Sequence, residues 1–220
     1  MANFGFSDLR LVDPYDVAFR EAVSAVGGAH VLQSARIYAT VAEAVEDCAL
    51  VLGTTAGQHR VPQQTVDRLE AGMASARRQA SAGRIALLFG SEKFGLSNDD
   101  MSFCHRLIRI PTAPETPSMN LGQAVAVCLY ELVREETAPA GIGSEALAGA
   151  IPEVTGSDAE QLTRMLLEVL DKSGYTNRIV AVSTEQKVRR WIRRLRIGVK
   201  DAPLLLGILR QILWKFDNRR

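Results

Sequence analysis

From residue 9 to about residue 132 the chain alternates short apolar runs with segments of helical period, and that pattern predicts a parallel sheet with helices on its faces. The candidate strands are residues 9–12, 35–38, 49–52, 85–89 and 107–110. Asp13 and Pro14 read as the N-cap and first residue of a helix that stops at Gly27 and Gly28. Further helices are predicted over 41–46, 65–80 and 120–134.

The segment 137–156 is rich in Ala, Gly, Pro and Ser and reads as a linker, after which the pattern becomes purely helical. Ser157 with Glu160 reads as a capping box, Leu162, Met165, Leu166, Val169 and Leu170 form an apolar stripe, and Gly174 closes the helix. Val188, Trp191, Ile192, Leu195 and Val199 repeat at helical spacing in the next segment, with Arg189, Arg193, Arg196 and Lys200 on another face. Asp201 caps a last helix carrying Leu204, Leu205, Ile208, Leu209, Ile212 and Leu213. The expected organisation is an α/β domain over 1–136, a linker over 137–156 and a small all-α domain over 157–220.

Net charge is +1, but its distribution is uneven. Residues 187–200 hold seven basic side chains and no acidic one, whereas the first 186 residues sum to −8. An acidic body with a basic helical tail predicts a polyanionic partner met through the tail, with contacts to phosphates that do not read sequence. Arg189, Arg193, Arg196 and Lys200 are the candidate contacts to that partner, which the resemblance described below implies is RNA. The three cysteines, Cys48, Cys104 and Cys128, form no CxxC pair, which argues against a zinc site or a disulfide framework. No apolar stretch is long enough to span a membrane and no signal-peptide pattern opens the chain, so the expectation is a cytoplasmic protein without a membrane or metal partner. His30, His59 and His105 share no spacing with a nucleophile or metal partner.

Leu87-Leu88-Phe89-Gly90-Ser91-Glu92-Lys93-Phe94-Gly95-Leu96-Ser97 is a strand entering a glycine-rich turn and then a short helix that Ser97 and Asp100 are suited to cap. Gly90 and Gly95 have P-loop spacing, but Leu96 stands where the phosphate-binding Lys belongs. The GxGxxG fingerprint is also absent, so nucleoside triphosphate hydrolysis and a dinucleotide site lack support. A second segment follows: Arg109-Ile110-Pro111-Thr112, then Pro117-Ser118-Met119-Asn120-Leu121-Gly122-Gln123-Ala124. In order and spacing the pair resembles motifs two and three of the SpoU/TrmH RNA methyltransferases. Gly5 to Pro14 and the loop Leu52-Gly53-Thr54-Thr55-Ala56 extend the likeness to the TrmJ-like branch, which acts on an anticodon-loop ribose of tRNA.

That resemblance implies a mostly parallel sheet threaded into a trefoil knot, S-adenosylmethionine as methyl donor, and a homodimer with tRNA or rRNA across its interface. It places donor-binding backbone near Thr54, Leu88, Gly90, Gly95, Ile110, Met119 and Leu121. Ser118 and Asn120 fall beside the reacting centre, and Glu92 organises it. A ribose 2'-hydroxyl is a weak nucleophile near neutral pH, so the reaction asks for positioning plus a base or positive charge. The family's first motif carries an Arg for that role. Here the chain opens Met1-Ala2-Asn3-Phe4-Gly5-Phe6, which resembles the end of that motif's helix. A start placed too far downstream is the expectation, and a non-catalytic RNA-binding remnant is the alternative. Arg10, Arg36, Arg60 and Arg109 match no part of the missing motif.

Overall fold

The computed structural model describes residues 1–14, 27–57, 64–134, 152–176 and 181–218. In chain order its elements are β1 (Arg10–Val12), α1 (Ala29–Gln33), β2 (Arg36–Tyr38), α2 (Val41–Ala44), β3 (Cys48–Thr54), β4 (Val66–Arg68) and α3 (Leu69–Gln79). Then follow β5 (Arg84–Leu88), α4 (Asn98–Ser102), β6 (Arg106–Arg109), α5 (Leu121–Val133), α6 (Gly156–Lys172), α7 (Ala181–Arg194) and α8 (Ala202–Asp217). All five predicted strands are present, and every strand pairing is parallel. β1 pairs with β2, and a second sheet runs β4-β6-β3-β5, so the last strand in sequence enters between β3 and β4.

Residues alternate across a strand, and β3 and β6 use that alternation to build two apolar layers. Cys48, Val51 and Leu107 face Val45, Leu96 and Met101, while Leu50, Leu52 and Ile108 face Leu69, Met73 and Ala76 of α3 and Cys128 of α5. All three cysteines are buried, and burial pushes each thiol up to about 12, where it stays protonated and unreactive. The two sheets are joined by charge. Arg10 reaches Asp8 at 3.0 Å, Asp47 at 2.5 Å and the Ala44 carbonyl at 2.7 Å, and Arg84 also reaches Asp8 at 3.0 Å.

Four local expectations are corrected. Residues 66–68 pair with β6 as strand β4, so the helix read from residue 65 begins only at Leu69; three residues are too few to show a strand's period. The cap of α6 is Thr155 with Asp158, in a complete capping box, which leaves Glu160 free for other partners. Residues 152–155, read as linker, run extended, with Val154 N–H donating to the Ile197 carbonyl and Val199 N–H to the Pro152 carbonyl. The helix read through Val199 ends at Arg194, and Trp191, Leu195 and Val199 are exposed instead of packed. The predicted helix after Pro14 and most of the predicted linker lie outside the described residues.

Helices α6, α7 and α8 share an apolar cluster of Val154, Ala159, Leu162, Val188, Ile192, Ile197 and Ala202. The cluster is docked on the sheet. Ser157 N–H donates to the Glu46 carbonyl at 2.8 Å, and a Cβ at Gly156 would stand 2.3 Å from the Val45 carbonyl oxygen. Among the described residues no helix is long and apolar enough to cross a membrane.

Candidate active site

The carboxyl ends of β3, β5 and β6 open into one cavity of about 830 Å³, lined by the loops that follow them, the start of α5 and one face of α7. This is where ligands gather in open α/β sheets. Thr54 Oγ1 donates to the Leu88 carbonyl at 3.3 Å, and Thr55 N–H donates to the Ile108 carbonyl at 3.0 Å, so the first loop is tied to both neighbouring strands.

The glycine-rich loop after β5 folds back on itself. Gly95 N–H donates to the Ser91 carbonyl at 2.9 Å, Phe94 N–H donates to Ser91 Oγ at 3.2 Å, and Gly95 takes φ +65°. A Cβ at Gly90 would sit 2.0 Å from the Gly95 carbonyl carbon and 2.2 Å from the Leu96 nitrogen. The sequence reading gave Gly90 to a close-lying ligand; the close approach is first of all to its own loop. Ser97 and Asp100 form the expected capping box on α4.

The loop of residues 110–120 is closed by Thr112 Oγ1 donating to the Pro117 carbonyl at 3.2 Å. Asn120 then caps α5, its Oδ1 accepting from Gln123 N–H at 3.2 Å. Its Nδ2 donates to Glu92 Oε1 at 2.9 Å, and the Leu121 N–H donates to the same oxygen at 3.4 Å. One carboxylate thus pins the start of α5 to the glycine-rich loop, and two segments 28 residues apart become two walls of one cavity.

Of the ten predicted methyl-transfer residues, Glu92, Ser118, Thr54, Gly90, Gly95, Ile110, Met119 and Leu121 line the cavity, while Leu88 and Asn120 stand behind it as hydrogen-bond partners. Arg10 and Arg36 are engaged with Asp8 away from the cavity, and Arg60 lies outside the described residues. Arg109 packs along Gly57, its Cδ 3.7 Å from where a Cβ would be. His105 is structural: its Nδ1 accepts from Val51 N–H at 3.0 Å, and burial, with help from Arg193, pushes its pKa down to about 3.

The predicted RNA-contacting face divides. Arg189 and Arg193 are buried, at 7% and 2% exposure, and face inward. Arg189 donates to Glu160 at 3.0 Å, Glu185 at 2.6 Å and Ser102 Oγ at 3.1 Å, and its guanidinium lies 4.4 Å from the Phe103 ring centroid. Arg193 donates to Glu160 at 3.1 Å. Neither is available to a phosphate, because Glu160 and Phe103, distant in sequence, supply the partners that make their burial tolerable. Arg196 is exposed and paired with Glu153, and Lys200 is exposed. The cavity also has residues the sequence reading missed: Ser183, Gln186, Lys187 and Arg190 of α7. The spacing of Lys187 and Arg190 was visible, but nothing local said which face of the helix turns to the cavity.

Among the described residues no group of His, Cys, Asp or Glu is placed to hold a metal ion. The model of the SpoU rRNA Methylase family matches residues 1–130. The tRNA (cytidine/uridine-2'-O-)-methyltransferase TrmJ of Yersinia pestis (strain Pestoides F) is 32% identical over 217 residues, covering 96% of this chain and 83% of that protein. The protein of the same name from Salmonella choleraesuis is also 32% identical, over 96% of this chain and 87% of its own length. The crystal structure of TrmJ from Z. mobilis ZM4 superposes with a TM-score of 0.81 at 30% identity, over 97% of this chain and 90% of that one. With the matched region holding both walls of the cavity, the chain belongs to the SpoU methylase family.

Proposed function

We propose that this protein is an S-adenosylmethionine-dependent ribose 2'-O-methyltransferase acting on tRNA, at an anticodon-loop pyrimidine nucleotide, and working as a homodimer. Membership of a methylase family implies a methyl donor, and the TrmJ relatives carry the ribose 2'-O position and tRNA in their names. The observation that carries the reading is the Glu92–Asn120 bond, which assembles the two motif segments around a cavity of donor size.

The cavity suits S-adenosylmethionine chemically. Ile110, Met119, Leu121 and Phe89 offer apolar surface, and Thr54, Thr112 and Ser118 offer hydroxyls. Backbone at Gly90, Gly95, Ile110, Met119 and Leu121 would hold the donor, which supplies an electrophilic methyl group on a sulfonium. Glu92, held by Asn120 and the Leu121 N–H, positions the start of α5 and with it Ser118. The Ser118 hydroxyl is exposed at the cavity and orients the incoming ribose. Its role is alignment, the largest contribution that such a transfer needs from the protein. The trefoil knot and a cytoplasmic location belong to the same reading.

The test is transfer of labelled methyl from S-adenosylmethionine to unmodified tRNA and, in parallel, to ribosomal RNA fragments. Label on an anticodon-loop ribose is the expected result. Label confined to ribosomal RNA overturns the substrate, and donor binding without transfer to either RNA favours the non-catalytic alternative.

A further inference from the structure

Arg190 is only 7% exposed, yet it lines the cavity wall. Among the described residues its guanidinium has one hydrogen bond, to the Asn98 carbonyl at 3.5 Å, and no carboxylate at ion-pair distance. A guanidinium has five N–H donors and is costly to bury without acceptors. The neighbouring Arg189 and Arg193 each hold a carboxylate, since both donate to Glu160, although Nε and Nη1 of Arg193 are buried without a partner. Arg190 differs in holding no carboxylate: burial and repulsion from Arg194 and Arg189 lower its pKa, as burial does for Arg193, and only the more distant Asp99 opposes this. An anion in the cavity would relieve that penalty.

The surroundings indicate which anion. Ser183, Lys187, Arg190 and Arg194 recur at steps of four, three and four residues, so they form one stripe along α7, with neighbours about 5–6 Å apart. Lys187 and Arg194 are exposed, and among the described residues neither is ion-paired. Glu185, the acidic residue of this helix, is turned away onto Arg189. The stripe therefore starts in the cavity and continues over the surface, a shape that matches a chain of phosphates and exceeds a single carboxylate.

We propose that Arg190, flanked by Lys187 and Arg194, binds the RNA phosphodiester backbone beside the target ribose, so that α7 positions the substrate in the same subunit's cavity. This rests on the RNA methyltransferase reading. Arg190 is a positioning residue in this scheme: it fixes where the strand enters, and the ribose is aligned as a consequence.

The experiment measures binding of unmodified tRNA by the full chain across a salt series, together with S-adenosylmethionine affinity by calorimetry. Each lost phosphate contact lowers the slope of log K against log salt by about 0.7–0.9, which is roughly five- to eightfold in affinity near 0.1 M salt. Arg190→Gln, Lys187→Gln and Arg194→Gln are each expected to show that loss with donor affinity unchanged. Arg190→Lys is expected to keep the slope, which a purely structural role would not predict. Arg210→Gln, an exposed cation on α8, is expected to leave the slope unchanged. The two surface variants keep the test decisive if Arg190→Gln fails to fold. Wild-type slope in the Lys187 and Arg194 variants, an equal loss in Arg210→Gln, or loss of donor affinity alone in Arg190→Gln overturns the proposal while leaving the enzyme reading intact. A wild-type protein that binds no RNA overturns the reading beneath it.

Discussion

Replacing Gly90 by Ala adds a single methyl group at a place where the backbone itself closes the space. The nearest atoms would be the Gly95 carbonyl carbon at 2.0 Å, the Leu96 nitrogen at 2.2 Å and the Gly95 carbonyl oxygen at 2.3 Å. An ordinary carbon contact needs about 3.5 Å, so the loop must open by roughly 1.5 Å. No rotamer can relieve this, because all three of these neighbours are main chain. Overpacking a well-fitted site costs about 1–3 kcal/mol, with rigid neighbours toward the upper end. For a chain of this length that corresponds to a fall in Tm of roughly 2–12 °C. The backbone at Gly90 is not left-handed, so the cost is steric only. Gly95→Ala is the useful comparison: it meets nothing within 4 Å but sits at φ +65°, where a side chain costs about 1–2 kcal/mol. Differential scanning fluorimetry and calorimetric donor binding read both effects. The expected result is that Gly90→Ala loses donor affinity at least tenfold, because opening the loop also displaces Glu92. Wild-type Tm and donor affinity in Gly90→Ala would refute the reasoning.

Three further outcomes follow from the same contacts. Asn120→Ala removes the α5 cap and the bond to Glu92 together, and should cost about 1 kcal/mol in urea unfolding while lowering methyl transfer by more than the stability loss explains. Glu160→Ala strands the buried Arg193 and leaves Arg189 with Glu185 and Ser102 as its hydrogen-bond partners, and urea unfolding should show a loss of roughly 3–5 kcal/mol, far above that of a surface Glu. His105 is held neutral in the folded state, its pKa about 3 against an ordinary 6.5. The unfolded chain binds the proton first, so its contribution is complete above pH 6.5 and is lost as pH falls toward 3, at about 1.4 kcal/mol per pH unit. His105→Asn should flatten the stability profile between pH 6 and 4.5, above the range where the carboxylates titrate.

What the sequence determined by itself was whatever depends on neighbours along the chain. β3 and β6 announced themselves as short apolar runs because both of their faces are buried, and buried parallel strands read as continuous hydrophobic stretches. Ser97 with Asp100 was legible as a cap because that motif is a local bargain between a side chain and two backbone amides. The motif segments around Gly90 and Asn120 were legible through their resemblance and order. The tertiary structure alone decided which side chains face each other across long separations. Glu160 looked like half of a capping box until Arg189 and Arg193 took it, and those two arginines looked like RNA contacts until Phe103 and Glu160 enclosed them. Arg190 differs from its neighbour by one residue, or about a hundred degrees around the helix. That rotation puts it in the cavity wall and not on Glu160, and it follows from how α7 docks against α4 and α6, which no window of local sequence contains.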